Sequence, residues 1–352
     1  MKVIFYFLLF FSILGRAQKN NFIDNYYPKI NKAELSIVTG NYRDALKYYN
    51  AAFNEVNVGF AKDYYNALIC ALSVGRKAQV SYLLLHLFKK GLTNSFAQDD
   101  TIISNTKKKL GPSVFDRLRR KGQAFYNKTA DLLLRKELEN MFNSDQQFRA
   151  MEGSYQKYGD TIKKIDDRNV IRLKEIIAKK GFPSESMIGL PEKFPFSQNL
   201  QPYYVILHHH SQALTIGKAY AITFFDDLTI AVKQGKLQPH TAGYLFALQG
   251  LNDFNSFGME QLKQSDGTLS GYFINKPSLE DGRKIDSLRY SIGLEPLTDF
   301  YKKVIFGRSH KVTHFQFKYS GSLNIFTGIS KEEFEQSVKK AIEMGAYIEI
   351  NN

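Results

Sequence analysis

The chain has 352 residues, which is long enough for two domains that each bury a substantial core. Its single cysteine, Cys70, excludes an intrachain disulfide, so the fold must be stabilised by packing. Lysine and arginine exceed aspartate and glutamate by 14, a surplus compatible with nucleic acid, anionic lipid or acidic glycan as a partner. The densest basic clusters, at 107–109 and 117–121, have no accompanying nucleic-acid motif. We therefore interpret them as solvated helix faces and expect no nucleic-acid partner.

The N-terminus has the pattern of a secretory signal peptide. Lys2 precedes an apolar run from Val3 to Leu14, and Gly15-Arg16-Ala17 supplies small residues before Gln18. An uncleaved membrane anchor is the alternative, but the run of 12 residues is shorter than the roughly 20 that a spanning helix needs. We assign residues 1–18 to a signal peptide and expect a periplasmic or secreted mature chain with no membrane span.

Residues 19–128 are predicted to form a tetratricopeptide-like helical region and a connector. Gly40-Asn41-Tyr42 is typical of the turn between paired helices of such a repeat, and Gly75-Arg76 marks a second turn. Gly40 and Gly75 are 35 residues apart, close to the repeat's period of about 34. Two units are fewer than such arrays usually need, so this block should pack on later helices. Its concave face could bind a protein or peptide partner, or the block could be a structural wing; the pattern leaves both open.

Amphipathic patterns predict a helical domain over 129–310. Apolar residues three and four apart predict helices at 131–141 and 162–180, the second ending at Gly181-Phe182-Pro183. Further helices are predicted at 203–213, 220–234 and 241–251.

The last segment, 311–352, has a different pattern. Residues 313–319 alternate, 330–344 fit a helix and 346–350 fit a strand. The predicted fold class is therefore mainly α: tetratricopeptide-like hairpins, a helical domain, and a small strand-helix-strand (α/β) annex at the C-terminus.

A set of short motifs occurs in a fixed order between Asp145 and Tyr301. The motifs are Asp145-Gln146 with Arg149, Gly181-Phe182-Pro183 with Gly189, His208-His209-His210, Tyr244-Leu245, Gly258, and Arg289 with Gly293-Leu294-Glu295-Pro296-Leu297. Together they resemble domain-of-unknown-function family 6624, over a little under half of the chain. The resemblance implies a shared fold, but it implies no reaction, because the family has no assigned chemistry.

The departures from that family fall on polar positions. The family's Gln-His-Ala-Asp reads His208-His209-His210-Ser211 here, and its Asp-Arg pair is Ala247-Leu248. Its Tyr-Gly-Thr-Gln is Phe257-Gly258-Met259-Glu260, and its double arginine is Leu288-Arg289. A catalytic site in the family would therefore be lost or changed in this chain, whereas the turn-forming and apolar anchors are retained.

Six polar residues form the candidate ligand-binding site: Asp145, Gln146, Arg149, His209, Glu260 and Arg289. Asp145 and Arg149 are one helical turn apart and can pair with each other. Such a pair fits either a carboxylate presented to a ligand or a bridge between two helices. If Glu260 and Arg289 lay in the same cleft as this pair, the arrangement would favour acid-base chemistry.

No metal, cofactor or catalytic residue is assigned from the sequence. Consecutive helix positions are about 100° apart, so His208, His209 and His210 cannot all face one ion. The sequence has no phosphate-binding glycine loop, dinucleotide fingerprint or serine-nucleophile motif. The glycine-containing run 266–271 is interpreted as a surface loop between helices.

These patterns favour an exported binding or scaffolding module of the cell envelope. The alternative is a hydrolase-type enzyme that acts on an envelope substrate through Asp145, His209 and Glu260. The polar groups lost relative to the family weigh against retained catalysis, so the balance is against an enzyme and the question stays open.

Overall fold

The computed structural model describes residues 21–215, 217, 222–251, 259–264, 269–309, 314–317, 321–326, 330–344 and 347–349. Within these ranges the protein is mainly helical, so the predicted class is confirmed at that level. The predicted signal peptide and Gly258 lie outside them. None of the described helices combines the length and the apolar character that crossing a membrane requires.

The N-terminal part is a series of short helices. They are α1 (Phe22–Asn25), α2 (Tyr27–Val38), α3 (Tyr42–Glu55), α4 (Ala61–Ser73) and α5 (Lys77–Lys89). Each of α3, α4 and α5 packs on the helix before it. Gly40 and Gly75, with φ of 74° and 73°, form turns that only a residue without a Cβ adopts at little cost. α4 is buried on nearly every side, which places it at the centre of this part.

Five helices follow in the middle of the chain. They are α6 (Asn94–Asp99), α7 (Thr101–Leu110), α8 (Pro112–Thr129), α9 (Leu132–Gln147) and α10 (Ser154–Lys180). α8 lies so close to α5 that a Cβ on Gly122 would be 2.3 Å from the Cβ of Phe88. α10 ends as predicted, because Gly181 has φ of 79° and its N–H donates to the carbonyl of Ile177 at 2.8 Å.

The remaining described helices belong to the C-terminal half of the chain. They are α11 (Glu185–Ile188), α12 (Pro202–Thr215), α13 (Phe225–Lys233), α14 (Pro239–Leu248), α15 (Leu279–Ser291), α16 (Leu297–Ser309) and α17 (Lys331–Glu343), with a 3-10 turn at Gln198–Leu200. α12 carries the histidines and packs on α9, α10 and α14. α13 begins at Phe225 rather than at Tyr220, and Asp226 and Asp227 occupy its first turn, where the helix dipole favours carboxylates.

Four strands form one sheet in the order β3-β1-β2-β4: β1 (Met259–Gln264), β2 (Leu269–Asn275), β3 (Gly321–Phe326) and β4 (Tyr347–Glu349). β1 pairs antiparallel with β2 and parallel with β3, and β2 pairs antiparallel with β4. The expectation of a loop between helices at 266–271 is wrong for 269–271, which belong to β2; 266–268 lie outside the described residues. Residues 314–317, expected to alternate as a strand, have no regular secondary structure.

The N-terminal helices are held against the C-terminal half by hydrogen bonds and close packing. The Tyr27 hydroxyl donates to the Val232 carbonyl at 2.9 Å, and Asn31 donates to Asp299 at 2.8 Å. A Cβ on Gly293 would lie 2.4 Å from the Tyr27 ring. This glycine of the C-terminal motif is therefore required both for its φ of 75° and for the approach of α2.

Candidate functional site

Asp145, near the end of α9, is the centre of a polar cluster that also contains Gln146, Arg149, Asp166 and His209, here called the Asp145 cluster. The carboxylate is 2% exposed. His209 Nδ1 on α12 lies 2.9 Å from one carboxylate oxygen, and Gln146 donates to the same oxygen at 2.7 Å. Four of the six predicted site residues are thus brought together around one buried carboxylate.

Arg149 closes the cluster from the other side. It donates to the main-chain carbonyl of Asp145 at 2.7 Å and lies 3.2 Å from its carboxylate. A second guanidinium nitrogen donates to Asp166 on α10 at 2.7 Å, and Nε donates to the Tyr155 hydroxyl at 3.0 Å. The cluster therefore joins α9, α10 and α12 by charge-assisted hydrogen bonds, which are the stronger kind.

Electrostatics keep Asp145 ionised. Burial by itself raises the pKa of a carboxyl, but the hydrogen bond and charge of His209, together with Arg149, hold the pKa of Asp145 below its ordinary value. Asp166 differs, because burial raises its pKa despite Arg149. One edge of the cluster reaches solvent, since the His209 side chain is 19% exposed.

The three consecutive histidines have three different neighbours. The ring of His208 stacks on Tyr244 of α14, with centroids 6.0 Å apart and planes 8° apart. His209 contacts Asp145, and His210 Nε2 lies 2.7 Å from the Ile222 carbonyl. Among the described residues, no three or more His, Cys, Asp or Glu side chains are arranged to hold a metal ion.

Arg289, another of the predicted residues, makes different contacts. Arg289 is 1% exposed; its Nε donates to the Glu295 carbonyl at 2.8 Å, and its guanidinium carbon lies 5.2 Å from the centroid of the Phe300 ring. It therefore supports the turn between α15 and α16. Glu260 lies on β1 opposite Phe273, and its side chain is outside the described part of the chain.

A second polar cluster, which the sequence interpretation missed, lies between the N-terminal helices and the C-terminal half. Its members, here called the junction network, are Glu34, Lys62, Asp63, His240, Glu295 and Lys303. Lys303 contacts Glu34 at 2.6 Å and Glu295 at 3.3 Å. Lys62 contacts Glu34 at 2.5 Å and Asp63 at 2.9 Å. His240 Nε2 lies 3.1 Å from Glu295.

The junction network shifts the pKa values of its carboxyl groups in opposite directions. Burial opposes ionisation of Glu295, yet His240 and Lys303 hold its pKa well below the ordinary value. Burial likewise opposes ionisation of Glu34, but Lys303 and Lys62 lower its pKa. For Asp63 burial prevails, and its pKa is raised. A local signal existed, because Glu34 lies four residues after Ile30 and three before Ile37, on the buried face of α2.

Residues 314–317, here called the groove segment, lie across the N-terminal helices. The side chain of Asn66 on α4 donates to the Gln316 carbonyl at 3.1 Å and accepts from the Gln316 N–H at 2.7 Å. Phe315 contacts the ring of Tyr42, with centroids 5.7 Å apart. The chain's own residues therefore occupy this face of α4.

An aromatic pocket of about 570 Å³ adjoins the groove segment. Its lining includes Phe96, Phe194, Phe196, Leu200 and Phe317, with Lys62 and Asp100 as charged members. Phe194 is 72% exposed and has φ of 51°, a left-handed conformation that is strained for a bulky side chain. Strain of this kind is concentrated at functional sites.

Comparisons of the chain with family models, with curated proteins and with solved structures found no match. What the two polar clusters and the groove do must therefore be inferred from their own geometry and chemistry.

Proposed function

We propose that the protein is an exported binding module of the cell envelope, and that it holds an extended peptide along α4 in the position of the groove segment. The observation that carries this proposal is the pair of hydrogen bonds between the Asn66 amide and the main chain of Gln316. An amide that donates to a C=O and accepts from the N–H of the same residue recognises extended backbone, whatever the side chain. Main-chain recognition of this kind is how proteins bind extended peptides.

The aromatic contacts determine which side chains a bound peptide should carry. Phe315 packs on Tyr42 and lies near Phe317, whose ring centroid is 6.1 Å away. Phe317 also lines the aromatic pocket, whose volume lies within the range of about 300–1,000 Å³ typical of ligand sites. A partner peptide with aromatic residues two positions apart would place one ring beside Tyr42 and the next at this pocket.

The test removes the aromatic side chains of the groove segment and measures whether a peptide with the sequence of that segment then binds. A labelled, end-capped peptide with the sequence of residues 313–318 is titrated by fluorescence anisotropy against wild type and against a Phe315→Ala/Phe317→Ala variant. Wild type should bind weakly, because its tethered segment competes at high effective concentration. The variant should bind saturably. Adding Asn66→Leu should weaken that binding roughly thirtyfold, since two net hydrogen bonds of about 1 kcal/mol each are lost.

Circular dichroism of each variant establishes that the helices remain folded. If the folded double-alanine variant does not bind the peptide, the groove is only an internal packing surface and the proposal fails. A scrambled peptide of the same composition is the matched control, and it should bind more weakly because it cannot place both aromatic rings.

A hydrolase acting on an envelope substrate is the second candidate, and one contact favours it. Asp145 orients His209 through Nδ1, and the partly exposed ring is then suited to act as a general base through Nε2. His209→Asn keeps a donor near Asp145 but lacks Nε2. If a turnover is found in screens of envelope substrates, this variant should abolish it while the fold is retained. A turnover that survives the change would exclude His209 as the base.

The envelope location, the resemblance to family 6624 and the tetratricopeptide-like hairpins with their α/β annex are parts of the same proposal. The location is supported by the signal-like pattern at 1–18. It is tested by the mass of the mature chain after expression in a bacterial host. Removal of 17 or 18 residues is expected, and an intact N-terminus would contradict export by cleavage.

A further inference from the structure

A pocket of about 620 Å³, here called the basic pocket, lies between α3 and the turn that leads into α5. Four cationic side chains line it: Arg43, Lys47, Arg76 and Lys77. None of its lining residues belongs to the groove, the aromatic pocket, the Asp145 cluster or the junction network. The basic pocket is therefore a separate candidate site.

Helical spacing and a glycine turn bring these cations together. Arg43 and Lys47 are four residues apart, so they lie on one face of α3. Gly75, with φ of 73°, forms the turn after α4 and places Arg76 and Lys77 at the start of α5. All four side chains are exposed to solvent, so a ligand could reach each of them.

The basic pocket has no counter-charge of its own. No described carboxylate lines it, and none of its four cationic side chains is ion-paired with a described residue. Asp44, which is next to Arg43, instead accepts a hydrogen bond from the Asn41 side chain at 2.7 Å. Lys109 adds a further ammonium group near the turn, since its Nζ donates to the Leu72 carbonyl at 2.9 Å. Like charges that line a concave surface focus a positive potential there.

We infer that the basic pocket binds a phosphate monoester group, carried either by a lipid headgroup or by a soluble phosphate compound. The guanidinium groups of Arg43 and Arg76 can each offer two parallel N–H donors to phosphate oxygens, and Lys47 and Lys77 act as point charges. A phosphate monoester has three acceptor oxygens and a charge of about −1.5 to −2. It therefore balances four cations better than a carboxylate, which has two oxygens and one charge. The positive end of the α5 dipole adds to the attraction.

The experiment offers the full chain two probes at neutral pH and low salt. Isothermal titration calorimetry with inorganic phosphate tests a soluble ligand, and acetate at the same ionic strength is the control anion. Co-sedimentation with phosphatidylcholine vesicles that contain phosphatidic acid tests a lipid headgroup. Vesicles with phosphatidylglycerol, whose phosphate is a diester, are the control. Saturable binding that is tighter than to the control is expected for at least one probe. A preference for phosphatidic acid identifies a lipid ligand, and binding of free phosphate without that preference identifies a soluble one.

Arg43→Gln/Arg76→Gln should weaken this binding about tenfold, as expected for the loss of two exposed ion pairs. Arg117→Gln/Arg120→Gln is the matched control, because it removes two arginines from exposed positions on α8 that do not line the pocket. It should leave the affinity unchanged, and circular dichroism establishes that both variants are folded. Equal weakening by the two variants would mean that the net charge of the protein attracts the anion and would overturn the inference. Binding of neither probe more tightly than its control would overturn it as well.

Discussion

The Asp145 cluster and the junction network are both buried groups of opposite charges, but they differ in the parts of the chain that they join. Both carboxylate oxygens of Asp145 have polar partners, and the cluster joins three adjacent helices. Asp166 in the first cluster, like Asp63 and Glu295 in the second, retains an oxygen that accepts no hydrogen bond from the described residues. The Asp145 cluster links neighbouring helices, whereas the junction network links the N-terminal helices to the C-terminal half.

The largest effect should come from breaking the junction network at Lys303, which is 5% exposed and contacts two buried carboxylates. Lys303→Met leaves Glu34 and Glu295 without this cation, and breaking a buried pair costs about 3–5 kcal/mol. Urea denaturation measures the loss. Lys302→Met is the control on the same helix: Lys302 is 58% exposed, so its loss should cost less than about 1 kcal/mol. Similar costs for the two variants would mean that the network contributes no more than a surface ion pair.

Removing Arg149, the cation of the Asp145 cluster, should cost less stability than removing Lys303. Arg149→Met removes the contacts to Asp145 and Asp166, but His209 and Gln146 still bond to Asp145. We expect a loss of about 2–3 kcal/mol in the free energy of unfolding. Arg172→Met, whose ion pairs are on the surface, should show no measurable loss. If Arg149→Met costs as much as Lys303→Met, the remaining bonds to Asp145 do not compensate and the comparison between the clusters fails.

The same contrast explains what the sequence could predict. Asp145, Gln146 and Arg149 lie within about one helical turn, so their proximity follows from helical periodicity alone, whereas the contact with His209 needed the packing of α12 on α9. The ion pair of Glu34 with Lys303 spans 269 residues, and no local pattern indicates which carboxylate meets which lysine. β1 was also missed, because Met259–Gln264 is mostly polar and its pairing with β3 joins distant segments. Helix ends at Gly181 and the turns at Gly40 and Gly75 were predictable, since left-handed backbone has a specific residue preference.

Acid should weaken the junction network more than the Asp145 cluster. A carboxyl whose pKa is lowered by folding stabilises the fold above its unfolded pKa, and this contribution is lost as pH falls through the folded pKa. The pKa of Glu295 is held well below 4.5 and that of Asp145 below 3.8. The stability difference between wild type and Glu295→Gln should therefore shrink as pH falls below about 4.5, and that for Asp145→Asn below about 3.8. Urea titrations from pH 7 to pH 2 measure both. A difference that stays constant with pH would show that folding does not lower the pKa of that carboxyl.

The smallest expected effect is at His209, the exposed edge of the Asp145 cluster. His209→Leu removes one hydrogen bond to Asp145 while those from Arg149 and Gln146 remain, so we expect a loss of about 1 kcal/mol. His209→Asn can place its side-chain nitrogen near the position of the histidine Nδ1 and should retain most of that stability. Thermal denaturation of the two variants separates loss of the hydrogen bond from loss of the ring. If the Asn variant is no more stable than the Leu variant, the contact of His209 with Asp145 stabilises the fold by packing alone. The hydrogen bond would then not contribute to the orientation of His209 that the hydrolase candidate needs.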